Sequence, residues 1–173
     1  MKESILRGKR ILAVDDEPDV LTVLQEEILD ACPSCRFEKA MTYEGAVEKI
    51  SSRTYDLVIL DAMGALGSDL LGLVMGQNFP VAILTVYAVI PEALRERIRM
   101  TGWACLPREK LGEIVPLLEN ILRNSHMPGR KSSRRMRGFF AIRFESYWKK
   151  VGLNWREWEK PEILPGVRPG LLW

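Results

Sequence analysis

The chain of 173 residues is long enough for one ordinary globular domain and an additional segment. Its 25 Lys and Arg residues nearly balance 23 Asp and Glu residues, which leaves a net charge of +2. No apolar run is long enough to cross a bilayer, and no signal-peptide core follows the charged first ten residues. These features argue against membrane insertion and export, so we expect a cytoplasmic protein.

Residues 9–122 alternate between short apolar segments and amphipathic segments with helical spacing. The predicted strands cover residues 11–14, 36–40, 57–60, 81–84 and 104–106, and the predicted helices cover residues 18–31, 43–51, 69–77, 91–100 and 110–122. The third and fourth strands are apolar at every position, which is typical of strands covered on both faces. Five βα units with short connections predict an α/β fold with a five-stranded, doubly wound parallel sheet.

Local signals indicate where several helices begin and which face they bury. Pro18 suits the first turn of the first helix. Thr42 is the predicted N-cap of the second helix, and Pro116 is expected to kink the last one. The apolar positions that the first helix is predicted to bury are Val20, Val23, Leu24, Ile28 and Ala31.

Three cysteines are present, Cys32, Cys35 and Cys105. An odd number in a chain without an export signal argues against a disulfide framework. Cys32 and Cys35 have the spacing of a redox or half-zinc site, but there is no second CxxC motif, and the one histidine, His126, is far along the chain. We therefore predict two reduced thiols in the loop after the first helix.

Polar side chains follow three of the apolar strands. Asp15 and Asp16 follow the first strand, Asp61 follows the third, and Thr85 follows the fourth. The carboxyl ends of parallel strands line one crevice, where three carboxylates repel one another unless a hard cation bound by oxygen offsets their charge. Mg²⁺ suits this set, because no histidine or thiol accompanies the carboxylates.

Phosphoryl transfer needs an oxygen nucleophile, a metal ion and further donors around the transferred group. In the predicted crevice Asp61 would be the nucleophile, and Asp15 and Asp16 would hold the metal. The hydroxyl of Thr85 would donate to the phosphoryl oxygens. Each residue alone is commonly a solvated or turn-forming one, but their occurrence together at three strand ends favours the functional interpretation.

Three motifs resemble those of response-regulator receiver domains of two-component signalling, namely VDDEP at 14–18, ILDAM at 59–63 and LT at 84–85. The resemblance spans residues 9–122 and implies a flavodoxin-like fold. It also implies a phospho-acceptor served by a sensor histidine kinase, able at most to dephosphorylate itself, rather than an enzyme. The implied roles are Asp61 as phospho-acceptor, Asp16 as a direct Mg²⁺ ligand, Asp15 as a ligand through water, the main-chain carbonyl of Met63 as a further ligand, Thr85 as the switch hydroxyl and Ala88 as the small residue beside the phosphoryl group.

Two positions depart from the family pattern. Where the family has a lysine near a proline after strand five, this chain has Arg108, whose planar fork differs from a compact ammonium group. In the family this lysine contacts the phosphoryl group, and Lys110 is the second candidate for that contact. The family's switch aromatic aligns with Cys105, so Trp103 or Tyr87 would take its packing role unless both are ordinary core or surface residues.

The segment after the last predicted helix differs in composition. Residues 1–122 carry 13 basic and 19 acidic side chains, whereas residues 123–173 carry 12 and 4, so the net charges are −6 and +8. We predict a receiver domain at 1–122, a linker of polar and helix-breaking residues at 123–135, and a mostly helical, partly extended tail at 136–173. Helical spacing places on one face of the tail the apolar residues Phe140, Phe144, Tyr147, Trp148 and Val151.

This apolar face favours docking onto the receiver domain, onto a second copy in a homodimer, or onto an unidentified downstream protein. Nucleic-acid binding is an alternative, because basic residues cluster before the face, namely Arg130, Lys131, Arg134, Arg135 and Arg137. An anionic membrane surface and a solvated charge run are further alternatives.

The sequence as a whole predicts a Mg²⁺-dependent response regulator without a DNA-binding output domain, which signals by protein contact. The alternative is a receiver-like scaffold that works without phosphorylation, and Arg108 and Cys105 motivate it.

Overall fold

The structure is a computed structural model, and it describes residues 3–61, 70, 73, 74, 77, 79–85 and 104–125. Five strands form one sheet, namely β1 (Arg10–Val14), β2 (Arg36–Ala40), β3 (Leu57–Asp61), β4 (Val81–Thr85) and β5 (Ala104–Pro107). Their order is β2-β1-β3-β4-β5, and all neighbouring pairs are parallel. This confirms the predicted five-stranded, doubly wound α/β fold, and each predicted strand agrees with the observed one to within one residue.

The buried strands lie in the middle of the sheet. Every residue of β3 is buried, and four of the five residues of β1 are. β2 lies at an edge and is partly exposed, from an exposed Arg36 to a buried Ala40. From β1 the chain moves outward to β2 and then returns across β1 to form β3. The strand order therefore reverses between β1 and β3, and in such sheets ligands bind in the crevice outside the strand ends at this reversal.

Helix α1 does not bury the whole face that its sequence predicts. The α-helices within the described residues are α1 (Pro18–Ala31), α2 (Tyr43–Ser52) and α3 (Ile114–Asn124). In α1 the buried residues are Leu21, Leu24 and Ile28, whereas Val23 is 38% exposed and Ala31 is also exposed. The predicted burial of Val23 and Ala31 was wrong and Val20 is half-buried, because the buried face is centred on Leu21, Leu24 and Ile28, at i, i+3 and i+7.

Helix α2 begins at its predicted N-cap. The hydroxyl oxygen of Thr42 accepts a hydrogen bond from the N–H of Gly45 (3.1 Å). This bond satisfies one of the first-turn N–H groups, which have no partner within the helix. Ala46 and Ile50, one turn apart, are the residues that α2 buries.

The last helix begins later than predicted. Residues Arg108–Glu113 form a 3₁₀ helix in which Lys110 has a non-helical backbone (φ −116°, ψ 31°), and α3 follows it. The predicted start at Lys110 was therefore wrong. Pro116 is the third residue of α3, where an N–H group would have no partner within the helix. The break in this region lies at Lys110 and not at the proline.

Part of the predicted helix at 69–77 is described. Leu70, Leu73 and Val74 are helical, and Leu70 and Val74 are buried. Arg123 and Asn124, which were assigned to the linker, are the last residues of α3, so the predicted start of the linker was wrong. The predicted helix at 91–100, residues 126–135 of the linker and the tail lie outside the described residues. Within the described ranges, no helix combines the length and the apolar character needed to span a bilayer.

The two cysteines between α1 and β2 are free thiols, as predicted, and both are buried. The Sγ of Cys35 donates to the main-chain oxygen of Lys9 (3.4 Å). Burial raises the pKa of Cys35 to about 11, and the neighbouring Cys32 and Asp56 add to this effect. Because the thiolate is the reactive form, this environment argues against a redox or metal-binding role for Cys35.

Candidate functional site

Three acidic side chains converge at the edge of the sheet where the strand order reverses. Asp61 is the last residue of β3, and Asp15 directly follows β1. The register pairs Val14 with Leu60, so both strands end at the same level. The N–H of Asp15 also donates to the oxygen of Ala40 (3.2 Å), which extends the hydrogen bonding between β1 and β2 by one residue. The sheet itself therefore positions both carboxylates.

The carboxylates lie close enough to share one cation. Asp15, Asp16 and Asp61 each offer one oxygen atom, and these three atoms lie within 4.8 Å of one another. Asp15 is 1% exposed and Asp61 is 5% exposed, whereas Asp16 is exposed. The cluster thus has two carboxylates in the protein interior and one facing solvent.

The carboxylate of Asp15 is engaged through both of its oxygens. Oδ1 accepts from the N–H of Glu17 (2.9 Å), and Oδ2 accepts from Nη2 of Arg108 (2.7 Å). Burial raises the pKa of Asp15, although the hydrogen bond from Glu17 and the positive charge of Arg108 act in the opposite direction. The negative charge of Asp61 adds to the rise.

Arg108 connects three acidic residues through one guanidinium group. Its Nη2 donates to Oδ2 of Asp15 and to Oδ2 of Asp61 (2.8 Å), and its Nη1 donates to Oε1 of Glu17 (2.5 Å). The side chain is 17% exposed. Burial lowers the pKa of Arg108, but the hydrogen bond to Glu17 and the charges of Asp15 and Asp61 outweigh this effect and raise it. The guanidinium group therefore remains charged.

The backbone after β5 directs Arg108 into the cluster. β5 pairs with β4, and Pro107 lies opposite Thr85 in this pairing. Pro107 keeps an extended conformation (φ −60°, ψ 138°), and Arg108 opens the 3₁₀ helix that follows. The Nε of Arg108 is buried and lacks a hydrogen-bond partner among the described residues. Among the described residues, the guanidinium group is therefore held only by the hydrogen bonds of its two terminal nitrogens, Nη1 and Nη2.

The site contains most of the side chains expected from the sequence, together with one that was not expected. Thr85 ends β4, and Leu84 before it pairs with Asp61 of β3, but the Thr85 side chain lies outside what the structure describes. The same holds for the Cys105 side chain and for the whole of Met63, Ala88, Trp103 and Tyr87. Glu17 received no role from the sequence, yet it binds Arg108 across 91 residues of chain. The signal was its place directly after the acidic pair, at the start of α1.

The donor set fits a hard dication. All three groups are carboxylates, which Mg²⁺ prefers as ligands. Their oxygen atoms lie within 4.8 Å of one another, so a movement of these side chains toward a common centre would let one such ion bind all three.

No protein-family model matches the chain, and no curated protein matches its sequence. Solved structures do match it. The N-terminal domain of a response regulator/sensory box/GGDEF 3-domain protein from Carboxydothermus hydrogenoformans is 24% identical, with a TM-score of 0.56; the match covers 66% of this chain and 94% of that one.

Two further matches cover nearly the whole of the matched chains. The response regulator receiver domain protein (CheY-like) from Methanospirillum hungatei JF-1 is 20% identical, with a TM-score of 0.52, over 67% of this chain and 97% of its own. The chemotaxis response regulator CheY4 of Vibrio cholerae is 22% identical, with a TM-score of 0.51, over 65% of this chain and 98% of its own. At these identities the similarity concerns the fold.

Proposed function

We propose that this chain, which has the fold of response-regulator receiver domains, is a response regulator that accepts a phosphoryl group on Asp61 from a sensor histidine kinase. The observation that carries the proposal is the position of three carboxylates within 4.8 Å of one another at the edge where the strand order reverses. A cationic side chain, Arg108, contacts two of them. This arrangement supports the proposal, because it brings together the residues to which we assign the roles of nucleophile, metal ligand and phosphate-binding group.

In the proposed reaction an oxygen of the Asp61 carboxylate attacks the phosphorus of a phosphohistidine. The O–P bond forms as the P–N bond breaks, and the electron pair stays on the imidazole nitrogen, which takes up a proton. The product is an acyl phosphate on Asp61. Because the group is kept on the protein as a signal, the chain is a phospho-acceptor rather than an enzyme acting on a separate substrate.

The surrounding residues have separate proposed roles. Asp15 and Asp16 would hold Mg²⁺, together with the main-chain carbonyl of Met63. When bound, the ion neutralises charge on the phosphoryl oxygens. Arg108 would donate to the same oxygens, because a guanidinium fork can bind two phosphate oxygens at once. The hydroxyl of Thr85 would be a further donor.

The proposal is tested by the mass of the intact protein after incubation with a small phosphodonor and Mg²⁺. The wild-type chain is expected to gain the mass of one phosphoryl group, and Asp61→Asn is expected to gain none. Asp30→Asn is the matched control, because Asp30 is an exposed aspartate of α1 outside the site. A gain that persists in Asp61→Asn would refute the assigned acceptor.

A receiver-like scaffold that works without phosphate is the second candidate function. The contacts of Arg108 with Asp15 and Asp61 favour it, because they offset the acidic charge of the site without a metal ion. Beryllofluoride with Mg²⁺ mimics the phosphorylated state, so its failure to bind at Asp61 would support the scaffold. In either case we propose that residues 123–173 contact a protein partner. Salt-dependent binding to DNA or anionic vesicles, compared with dimerisation by light scattering, would separate this proposal from its alternatives.

A further inference from the structure

We propose that Arg108 is a built-in counter-cation that competes with Mg²⁺ for the carboxylates of Asp15 and Asp61. This inference rests on the proposed function, since it concerns the metal site of the same phospho-acceptor. It assigns to this chain's arginine a role in the metal-free state that is separate from contact with a transferred phosphoryl group.

The first argument is the place of the guanidinium group. A single nitrogen, Nη2, lies 2.7 Å from Oδ2 of Asp15 and 2.8 Å from Oδ2 of Asp61. It therefore lies between the two buried carboxylates that a metal ion would have to bridge. With Oδ1 of Asp15 already bonded to the N–H of Glu17, a dication at Asp15 would have to share an occupied oxygen.

The second argument is charge. A buried carboxylate is strongly destabilised unless an opposite charge lies close to it. Arg108 supplies that charge to Asp15 and Asp61 at hydrogen-bonding distance. A dication bound to the same oxygens would lie within a few ångströms of the guanidinium group and would be repelled by it. Each cation thus lowers the affinity of the site for the other.

The third argument is the position of Glu17, which gives the guanidinium group of Arg108 a further acidic partner. The Glu17 side chain is 59% exposed and accepts from Nη1. Because Glu17 is bonded to the other arm of the fork, the guanidinium group can leave Asp15 and Asp61 and remain paired at the surface. A lysine ammonium group, as a single point charge, is not built to bridge these three acceptors in the same way.

The competition also implies that Mg²⁺ and a phosphoryl group on Asp61 each strengthen the binding of the other. A phosphoryl group on Asp61 would offer Arg108 new acceptors, so the arginine would no longer compete for the carboxylate of Asp15. Mg²⁺ should therefore bind more tightly when the phosphoryl mimic is present, and by linkage the mimic should bind more tightly when Mg²⁺ is present.

Titration calorimetry of the full chain with MgCl₂ at constant ionic strength tests the competition. Arg108→Gln is expected to bind Mg²⁺ about tenfold more tightly than wild type, which corresponds to ~1.4 kcal/mol. Arg53→Gln is the matched control, because it also removes one positive charge but breaks an exposed pair with Glu38. Its affinity for Mg²⁺ should equal that of wild type. Equal or weaker binding by Arg108→Gln would overturn the inference.

A second measurement on the wild-type chain covers the case in which Arg108→Gln does not fold. The side-chain NMR signals of Arg108 should move during the Mg²⁺ titration with the same midpoint as the backbone signal of Asp16. Arg108 signals that stay in place while the Asp16 signal moves would contradict competition.

The two proposals fail in different ways. If the wild-type chain gains a phosphoryl group but wild type and Arg108→Gln bind Mg²⁺ equally, the competition is refuted and the phospho-acceptor function stands. If Arg108→Gln binds Mg²⁺ more tightly but Asp61 is never phosphorylated, the competition stands and the proposed function is refuted.

Discussion

Replacing Arg108 by alanine should destabilise the metal-free protein by about 2–3 kcal/mol. Arg108 makes two hydrogen-bonded ion pairs with buried carboxylates, those of Asp15 and Asp61, and one with the exposed Glu17. Loss of one partner from a buried ion pair costs about 3–5 kcal/mol, because the remaining charge is left uncompensated. The surface pair with Glu17 adds about 0.5 kcal/mol or less.

The lower figure of about 2–3 kcal/mol takes account of the position of the site at the edge of the sheet. Arg108 is 17% exposed, so water can enter the vacated space and solvate the two carboxylates, which offsets part of the cost. Mg²⁺ should restore most of the lost stability in the variant, because the ion replaces the missing positive charge. Its stabilising effect should be larger in Arg108→Ala than in wild type.

Urea unfolding followed by circular dichroism, with EDTA and then with saturating Mg²⁺, measures both effects. Arg53→Ala is the control, since Arg53 pairs with Glu38 at the surface (2.7 Å). We expect it to lose about 0.5 kcal/mol, with or without Mg²⁺. A loss below about 1 kcal/mol for Arg108→Ala in EDTA would refute the reasoning that Arg108 compensates buried charge.

Three further predictions concern other parts of the domain. Thr42→Ala should lower the free energy of unfolding by about 1 kcal/mol, because it removes the N-cap bond to Gly45; Thr42→Ser should lose much less in the same urea titration. Burial alone would raise the pKa of Glu38, but the hydrogen bond from Tyr55 and the charges of Arg53 and Lys49 outweigh it and lower the pKa. Ionised Glu38 therefore stabilises the fold above its ordinary pKa of 4.5, and this stability is lost as the pH falls through the folded-state pKa. The advantage of wild type over Glu38→Gln should therefore shrink on acidification, and an advantage that is constant with pH would contradict this. With the pKa of Cys35 raised from 9.0 to about 11, its thiolate fraction at pH 8 is lower by about a hundredfold. A thiol reagent should therefore label Cys35, in a background with Cys32→Ser and Cys105→Ser, far more slowly in the folded chain than in urea; equal rates would show that the thiol is accessible.

Several features of the molecule could be predicted from the sequence because they depend on short segments. Apolar runs such as 57–60 and 81–84 predict buried strands, and βα alternation predicts that these strands are parallel. Parallel strands end at one edge, so aspartates that follow neighbouring strands lie near one another, as those after β1 and β3 do. For this reason the convergence of Asp15, Asp16 and Asp61 could be expected before the structure was known.

Other features could not be predicted from the sequence, because they depend on which side chains face one another in the folded chain. The buried face of α1 was misjudged at Val23, because apolar character alone does not show which side of a helix faces the sheet. The break at Lys110 has no counterpart in the helical periodicity of the segment around it.

The pairing of Glu17 with Arg108 is the clearest result of the tertiary structure. These residues are 91 positions apart, and no local pattern indicates that the start of α1 and the end of β5 approach each other. The sequence alone predicted which acidic residues converge, since this depends on where the strands end. Only the folded chain showed that the guanidinium group of Arg108, a residue expected at this site, bonds directly to Asp15, Asp61 and Glu17, because this depends on the path of the backbone after Pro107.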